Sequence, residues 1–375
     1  MVSQAAGVSR TAGVSVAAGV SVVVLGGTGS LGRHISEVFE AEGARVLTVS
    51  RATVGRHADG RGGCHICLDL TGTSPARLAG VLAGAGADIV VNAAGLAWGG
   101  GEEELGAANA GLVRGLVEAV SGLAHRPRLI QLGTVHEYGP VAPGTAITEG
   151  LPPAPVSAYG RTKLLGAEAM LRAARGGAVD GTVLRIANVY GPGAPRTSLL
   201  GTVAHHLAET ARGRSAEGAL RLAPLTARRD FVDIRDVGQA VLAAAVAPRV
   251  ARTGAWIVNV GSGRARPVRE LVDRMIELSG VEAPAVERAG SRPESPGSRG
   301  GLSGPGDPGS PGPAGSGADW QLLDISAARR LLGWRPRYRA DRSLRDQLTA
   351  AGLPPDRVSR AVRAGGGSVR SVRNG

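Results

Sequence analysis

The chain has 375 residues, enough for one large domain or two lobes around a sizeable core. Hydrophobic residues make up 43%, yet no run of about 18 apolar residues occurs, so a membrane-spanning helix is not expected, and two cysteines exclude a disulfide scaffold. The formal net charge is +12, but all of the 43 Lys and Arg except Lys163 are arginine, and 59 glycines accompany them. The arginine excess therefore reads first as compositional bias and a solvated basic surface. With aromatics at only 3%, no nucleic-acid partner is expected, whereas an anionic small substrate suits the charge. The first residues lack a basic stretch followed by a compact apolar one, so the reading is a cytoplasmic enzyme or binding protein.

Residues 1–20 are small and repetitive and read as a flexible leader. Residues 21–27, SVVVLGG, form an apolar β-branched run that ends in glycine and predicts a strand. A helix follows over 33–43, with Leu31, Ile35, Val38 and Phe39 on one face. Further strands are expected at 44–50, 65–70, 87–95, 128–134 and 181–191. Helices are expected at 109–123 and at 157–174, the latter capped by Ser157 after a proline-rich approach. This alternation predicts an α/β fold, a doubly wound parallel sheet over 21–190 with its binding site at the carboxyl ends of the strands. Residues 191–354 read mainly as a smaller, discontinuous lobe with crossings back to the sheet. Within it, 282–318 is dominated by Gly, Pro, Ser and Arg and is expected to be a disordered insert; 355–375 reads as a loose basic tail.

Between the first strand and first helix lies Gly26-Gly27-Thr28-Gly29-Ser30-Leu31-Gly32, which satisfies both GxxGxxG and GxGxxG. Glycines there permit a tight turn and close approach of backbone to a pyrophosphate, and the helix N-terminus supplies N–H groups and partial positive charge. The second strand ends in Ser50-Arg51, where an NAD-binding chain usually has an acid. A guanidinium and a hydroxyl suit a ribose 2′-phosphate, so NADP(H) is favoured and NAD(H) is the alternative.

Tyr159 and Lys163 stand four apart at the start of a predicted helix, on one face. The only lysine of the chain thus follows one of only four tyrosines. A cation beside the phenol is expected to lower its pKa from about 10 and make it a proton donor to a carbonyl. Thr134 closes the predicted fifth strand, where its hydroxyl can hold a substrate carbonyl. His136, beside Glu137, is a candidate lining residue for the substrate pocket. Cys64-His65-Ile66-Cys67 invites a metal or redox reading, but two cysteines cannot build a four-cysteine site and a redox pair normally opens a helix. No metal is expected.

These motifs together resemble the extended short-chain dehydrogenase/reductases of the NDP-sugar epimerase/dehydratase family, over about 21–280 and again over 319–348. The resemblance implies a Rossmann fold with a substrate-binding lobe and a catalytic set of Thr134, Tyr159 and Lys163. It also implies adenine contacts from Asp69 and Leu70, cofactor contacts from Asn92, Ala93, Ala94 and Gly95, and support of the lysine by Asn109. Asn188 in NVYGP and Arg229 in RDFVDIRDV are implied contacts of the nucleotide-sugar diphosphate, and LLGWRP (331–336) matches the closing segment. Val135 and His136 replace the Asp-Glu pair of the family's 4,6-dehydratases, which argues against dehydration. With Ser50-Arg51 this points to an NADPH-dependent 4-ketoreductase acting on an NDP-4-keto-6-deoxyhexose, as in deoxysugar assembly for glycosylated antibiotics. An epimerase with retained NAD and a non-catalytic NADP-sensing protein are the alternatives, and a homodimer is implied.

Overall fold

The computed structural model describes residue 16 and residues 19–52, 64–97, 100–214, 220–248, 257–282, 285–287, 319–355 and 357. β1 (Ser21–Leu25) is buried along its whole length, as an apolar run suited to a strand covered on both faces. Val22 and Val24 face one cluster of the core, Val23 and Leu25 the other, in the two-residue alternation of a strand.

β1 is the centre of a seven-stranded parallel sheet. The order is β10 (Ile257–Val260), β6 (Asp180–Ile186), β5 (Arg128–Thr134), β4 (Ile89–Asn92), β1, β2 (Arg45–Ser50) and β3 (Cys64–Cys67). The chain runs outward from β1 to β3 and then returns to β4, so the direction of winding reverses between β1 and β4. Ligands of such sheets bind at this reversal, beyond the carboxyl ends.

Helices cover both faces. α1 (Ser30–Ala41) contributes Ile35 and Phe39 to one cluster. α2 (Pro75–Gly84) contributes Leu78 and Leu82 to the other. α3 (Glu102–Gly106) runs through a π-helical turn, Ala107–Gly111, into α4 (Leu112–Ser121). α5 (Ala158–Arg175) packs Ala167 and Met170 beside α4, and α7 (Ile234–Val246) packs Val237 and Val241 on the α1 side. Among the described residues no helix is long and apolar enough to cross a membrane.

The remaining elements are α6 (Leu199–Ala211), α8 (Val268–Ser279), α9 (Ser326–Leu332), α10 (Ala340–Ala350) and two small sheets. One has the order β11 (Ala265–Pro267), β9 (Arg228–Asp233), β7 (Asn188–Tyr190); the other pairs β12 (Ala285–Glu287) with β8 (Leu220–Leu222). The chain divides into two compact units. The first comprises 1–189, 230–265 and 320–338; the second comprises 190–229, 266–319 and 339–375.

Several sequence expectations change. The single strand expected at 181–191 is two, because Ala187 donates its N–H to Val260 O and β7 then joins a different sheet. Residues 285–287, expected inside a disordered insert, form β12; residues 288–318 lie outside the described residues. Of the expected leader, Val16 is buried against the core and residues 1–15, 17 and 18 lie outside the described residues. Of the tail, 356 and 358–375 lie outside them.

Candidate active site

The first βα turn has the form of a phosphate cradle. Gly26 sits at φ +78°, in the left-handed region, and a Cβ there would lie 2.7 Å from Ala94 N. Gly27 faces Thr48, whose Cβ would be 2.5 Å from an added methyl. Gly29 caps α1 without a side chain, and Gly29 N donates to Gly26 O at 3.0 Å. Thr28 and Ser30 are half-buried at the turn, Leu31 packs against the core, and Gly32 lies against the Gly26 carbonyl, where no side chain fits. The helix N-terminus is thus presented bare, as an anion site requires.

The second strand ends beside it. Ser50 is 5% exposed, and its Oγ is buried without a hydrogen-bond partner among the described residues. Arg51 is exposed and acts on Asp69, whose carboxyl is held below its usual range first by hydrogen bonds from Thr71 and then by the Arg51 charge. Leu70 packs in the core. A cradle with a bare helix start, a glycine that excludes any Cβ and an orphaned buried hydroxyl fits a dinucleotide.

The third corner is the end of β5. Thr134 caps a short 3-10 turn, Val135–Glu137, and its hydroxyl hydrogen-bonds Tyr159. Ser157 caps α5 by accepting from Gly160 N at 3.1 Å, as the sequence predicted, and Gly160 lets α5 press onto the His136 carbonyl. The His136 ring stands edge-on to Tyr159, with centroids 5.9 Å apart. Lys163 Nζ donates to Leu132 O at 2.5 Å. Thr134, His136, Tyr159 and Lys163 are therefore brought together.

One expectation is reversed. Tyr159 is not an acidified phenol: burial pushes it up to about 12, the Thr134 hydrogen bond pulls it down, and the charge of Glu137 pushes it up. Lys163 donates to a carbonyl rather than balancing the phenol, and burial pushes its pKa down while Glu137 opposes this.

Glu137 is the residue that the sequence reading passed over. It is 0% exposed; Oε1 accepts from Thr134 N at 2.9 Å and Oε2 accepts from Arg185 Nε at 2.7 Å. Arg185, on β6 beside Gly133, also lies 4.4 Å over the Tyr138 ring, and the Tyr138 hydroxyl donates to Asn259 Oδ1 at 2.7 Å. Asn259 Nδ2 in turn donates to Ile147 O. An acid three residues after a capping Thr is the capping-box signal that could have revealed this role.

Three asparagines are engaged in holding loops. Asn92 donates to Gln131 Oε1 and accepts from Ala94 N, which shapes the turn through Ala93 and Ala94. Asn109, in the π turn, binds both N–H and O of Leu96 and donates to Thr162, holding Gly95 against its own Oδ1. Asn188 uses both amide hydrogens, on Asp230 O and Gln321 Oε1, so its side chain has no donor left for a diphosphate. Arg229 belongs to the second unit, where burial lowers its pKa against the pull of Asp319.

A parallel sheet with a glycine cradle at its winding reversal and a Thr–Tyr–Lys set at the end of β5 defines a dinucleotide-dependent oxidoreductase fold of the short-chain type. Residues 22–261 match the NAD dependent epimerase/dehydratase family, and the chain belongs to it. A dTDP-6-deoxy-L-talose 4-dehydrogenase (NAD(P)(+)) of Kitasatospora kifunensis is 41% identical over 337 residues, 88% of this chain and 96% of that protein. Among solved structures, MoeE5 in complex with UDP-glucuronic acid and NAD aligns with a TM-score of 0.70 at 23% identity, over 88% of this chain and 98% of its own. RMD from Pseudomonas aeruginosa complexed with NADPH aligns at 0.69 and 20%, with the same coverage. At these identities the two structures bear on the fold alone.

Proposed function

We propose that the protein reduces the 4-keto group of a dTDP-linked 4-keto-6-deoxyhexose with NADPH. The observation that carries this is the gathering of Thr134, Tyr159 and Lys163 at the end of β5, with the half-buried Tyr159 phenol hydrogen-bonded to Thr134. A phenol protonated at neutral pH can give its proton to the oxygen that hydride addition to a ketone leaves charged. The 41% identical relative is named for oxidation at C4 of a dTDP-6-deoxysugar, the same hydride transfer in the opposite direction.

When bound, the nicotinamide supplies the hydride. The Thr134 hydroxyl holds the substrate carbonyl oxygen, and Tyr159 delivers the proton that this oxygen takes up. Lys163 fixes the end of β5 through Leu132 O and is the proposed partner of the nicotinamide ribose. His136, edge-on to Tyr159, lines the sugar side. Positions 135 and 136 hold a core valine and a histidine, and Glu137 is engaged by Thr134 N and Arg185, which supports reduction rather than dehydration.

The test is oxidation of NADPH and NADH with dTDP-4-keto-6-deoxyglucose, and oxidation of dTDP-6-deoxy-L-talose with NADP+. We expect NADPH consumption or its reverse, lowered roughly 10²- to 10⁴-fold in Tyr159→Phe. Conversion of the sugar to an isomer without net change in nucleotide would replace this reading with an epimerase.

A further inference from the structure

The segment Cys64-His65-Ile66-Cys67 has neither redox nor metal geometry. It is β3, the edge strand, and residues three apart on a strand point to opposite faces, so the two exposed thiols diverge. His65 and Cys67, two apart, share the face of their register partners Thr48 and Ser50. There they bind the backbone that follows β2. Leu68 N donates to Ser50 O at 2.8 Å, Cys67 Sγ to Arg51 O at 3.4 Å, and His65 Nε2 to Ala52 O at 2.8 Å. Three successive carbonyls, 50 to 52, are each held from the edge strand.

The other ring nitrogen reaches the cradle. A carbonyl can only accept, so Nε2 carries the proton and Nδ1 of a neutral ring accepts from Thr48 Oγ1, 2.9 Å away. Thr48 is the side chain packed against Gly27. One imidazole thus ties the glycine turn, through Thr48, to the backbone that carries Arg51. The orphaned Ser50 hydroxyl lies in the same stretch.

We infer that His65, assisted by Cys67, is a positioning residue for cofactor choice: it fixes the backbone at Arg51 so that Ser50 and Arg51 are preset for a ribose 2′-phosphate. This rests on the reading of Ser50-Arg51 as the NADPH-selecting pair. A guanidinium on a held backbone loses less freedom on binding an anion, and the gain applies only to the nucleotide that has the phosphate.

The experiment is equilibrium binding of NADPH and of NADH to the full chain, followed by nucleotide fluorescence, with thermal unfolding as a folding control. In His65→Ala the affinity for NADPH should fall about fivefold or more while that for NADH changes less than about twofold. His65→Gln, which keeps one donor and one acceptor, should retain most of the preference. Cys67→Ala, at an exposed position that threatens folding little, should shift it in the same direction by about twofold, since a thiol is a weak donor. A wild-type preference for NADPH that survives His65→Ala, or an equal loss for both nucleotides, overturns the clasp alone. No preference in the wild type overturns the reading of Ser50-Arg51, and the clasp with it.

Discussion

The two ends of the cofactor-facing edge are built in opposite ways. At β5, Thr134 is held by a carboxylate that is itself held by an arginine, both inaccessible to water. At β2 and β3, Arg51 and its neighbours are held by single hydrogen bonds from an edge strand whose ends are exposed. The proposed catalytic Thr134 is fixed by a buried charge network, in which removing one partner strands the other. The proposed determinants of nucleotide choice are held by weak contacts that can be exchanged one at a time.

The sharpest way to break this contrast is Arg185→Met. It leaves Glu137 charged and unpaired in the core, and a loss of about 3–5 kcal/mol in denaturant unfolding is expected. Replacing both partners by apolar residues should restore much of that loss. If Arg185→Met unfolds at the wild-type midpoint, the β5 end is no more constrained than the edge.

A smaller effect lies in the alkaline range. Burial pushes Tyr138 and Tyr159 up to about 12. Their neutral forms bind protons more tightly in the native state, so this contribution to stability is complete below about pH 10 and declines as pH rises towards 12. Phenolate absorbance of the cofactor-free native protein should therefore fall short of its full value near pH 11, and reach it only after unfolding. Full ionisation of the native protein near pH 10 would contradict the raised phenols of Tyr138 and Tyr159.

The smallest effect is expected at Arg161, which pairs with Glu102 at 2.9 Å in the open. Arg161→Ala should cost at most about 1 kcal/mol, less still at high salt. A larger loss would show that exposure does not separate strong pairs from weak ones here.

Sequence alone reveals the parts of this site whose chemistry is local. An all-apolar run ending in glycines gives β1 and its turn, and Ser157 ahead of an alternating segment gives α5. The Tyr159–Lys163 spacing needs only a helix to align it. What could not be read depends on partners far along the chain. α2 is short and rich in alanine and glycine, with little periodicity. Glu137 looks like a surface acid until β6 brings Arg185 to it, 48 residues later. One donor of Asn188 is taken by Asp230 O and the other by Gln321, 133 residues away, which no motif at Asn188 announces. The fall in phenol pKa expected from Lys163 is absent because the ammonium is turned to Leu132 O, while burial, a property of the whole fold, pushes the phenol up.

The order in which these parts leave the ribosome has a consequence. The first unit is not complete until residue 338, because β10 and the segment 320–338 belong to it. Thr134, Tyr159 and Lys163 emerge well before Asn259, which secures Tyr138 across 121 residues, and before Leu323, which bridges Ile147. Throughout that interval β6 is an open edge in the nascent chain. Such an edge is a template for mispairing. A fragment ending near residue 190 holds every proposed catalytic side chain and still lacks the strand that closes its sheet.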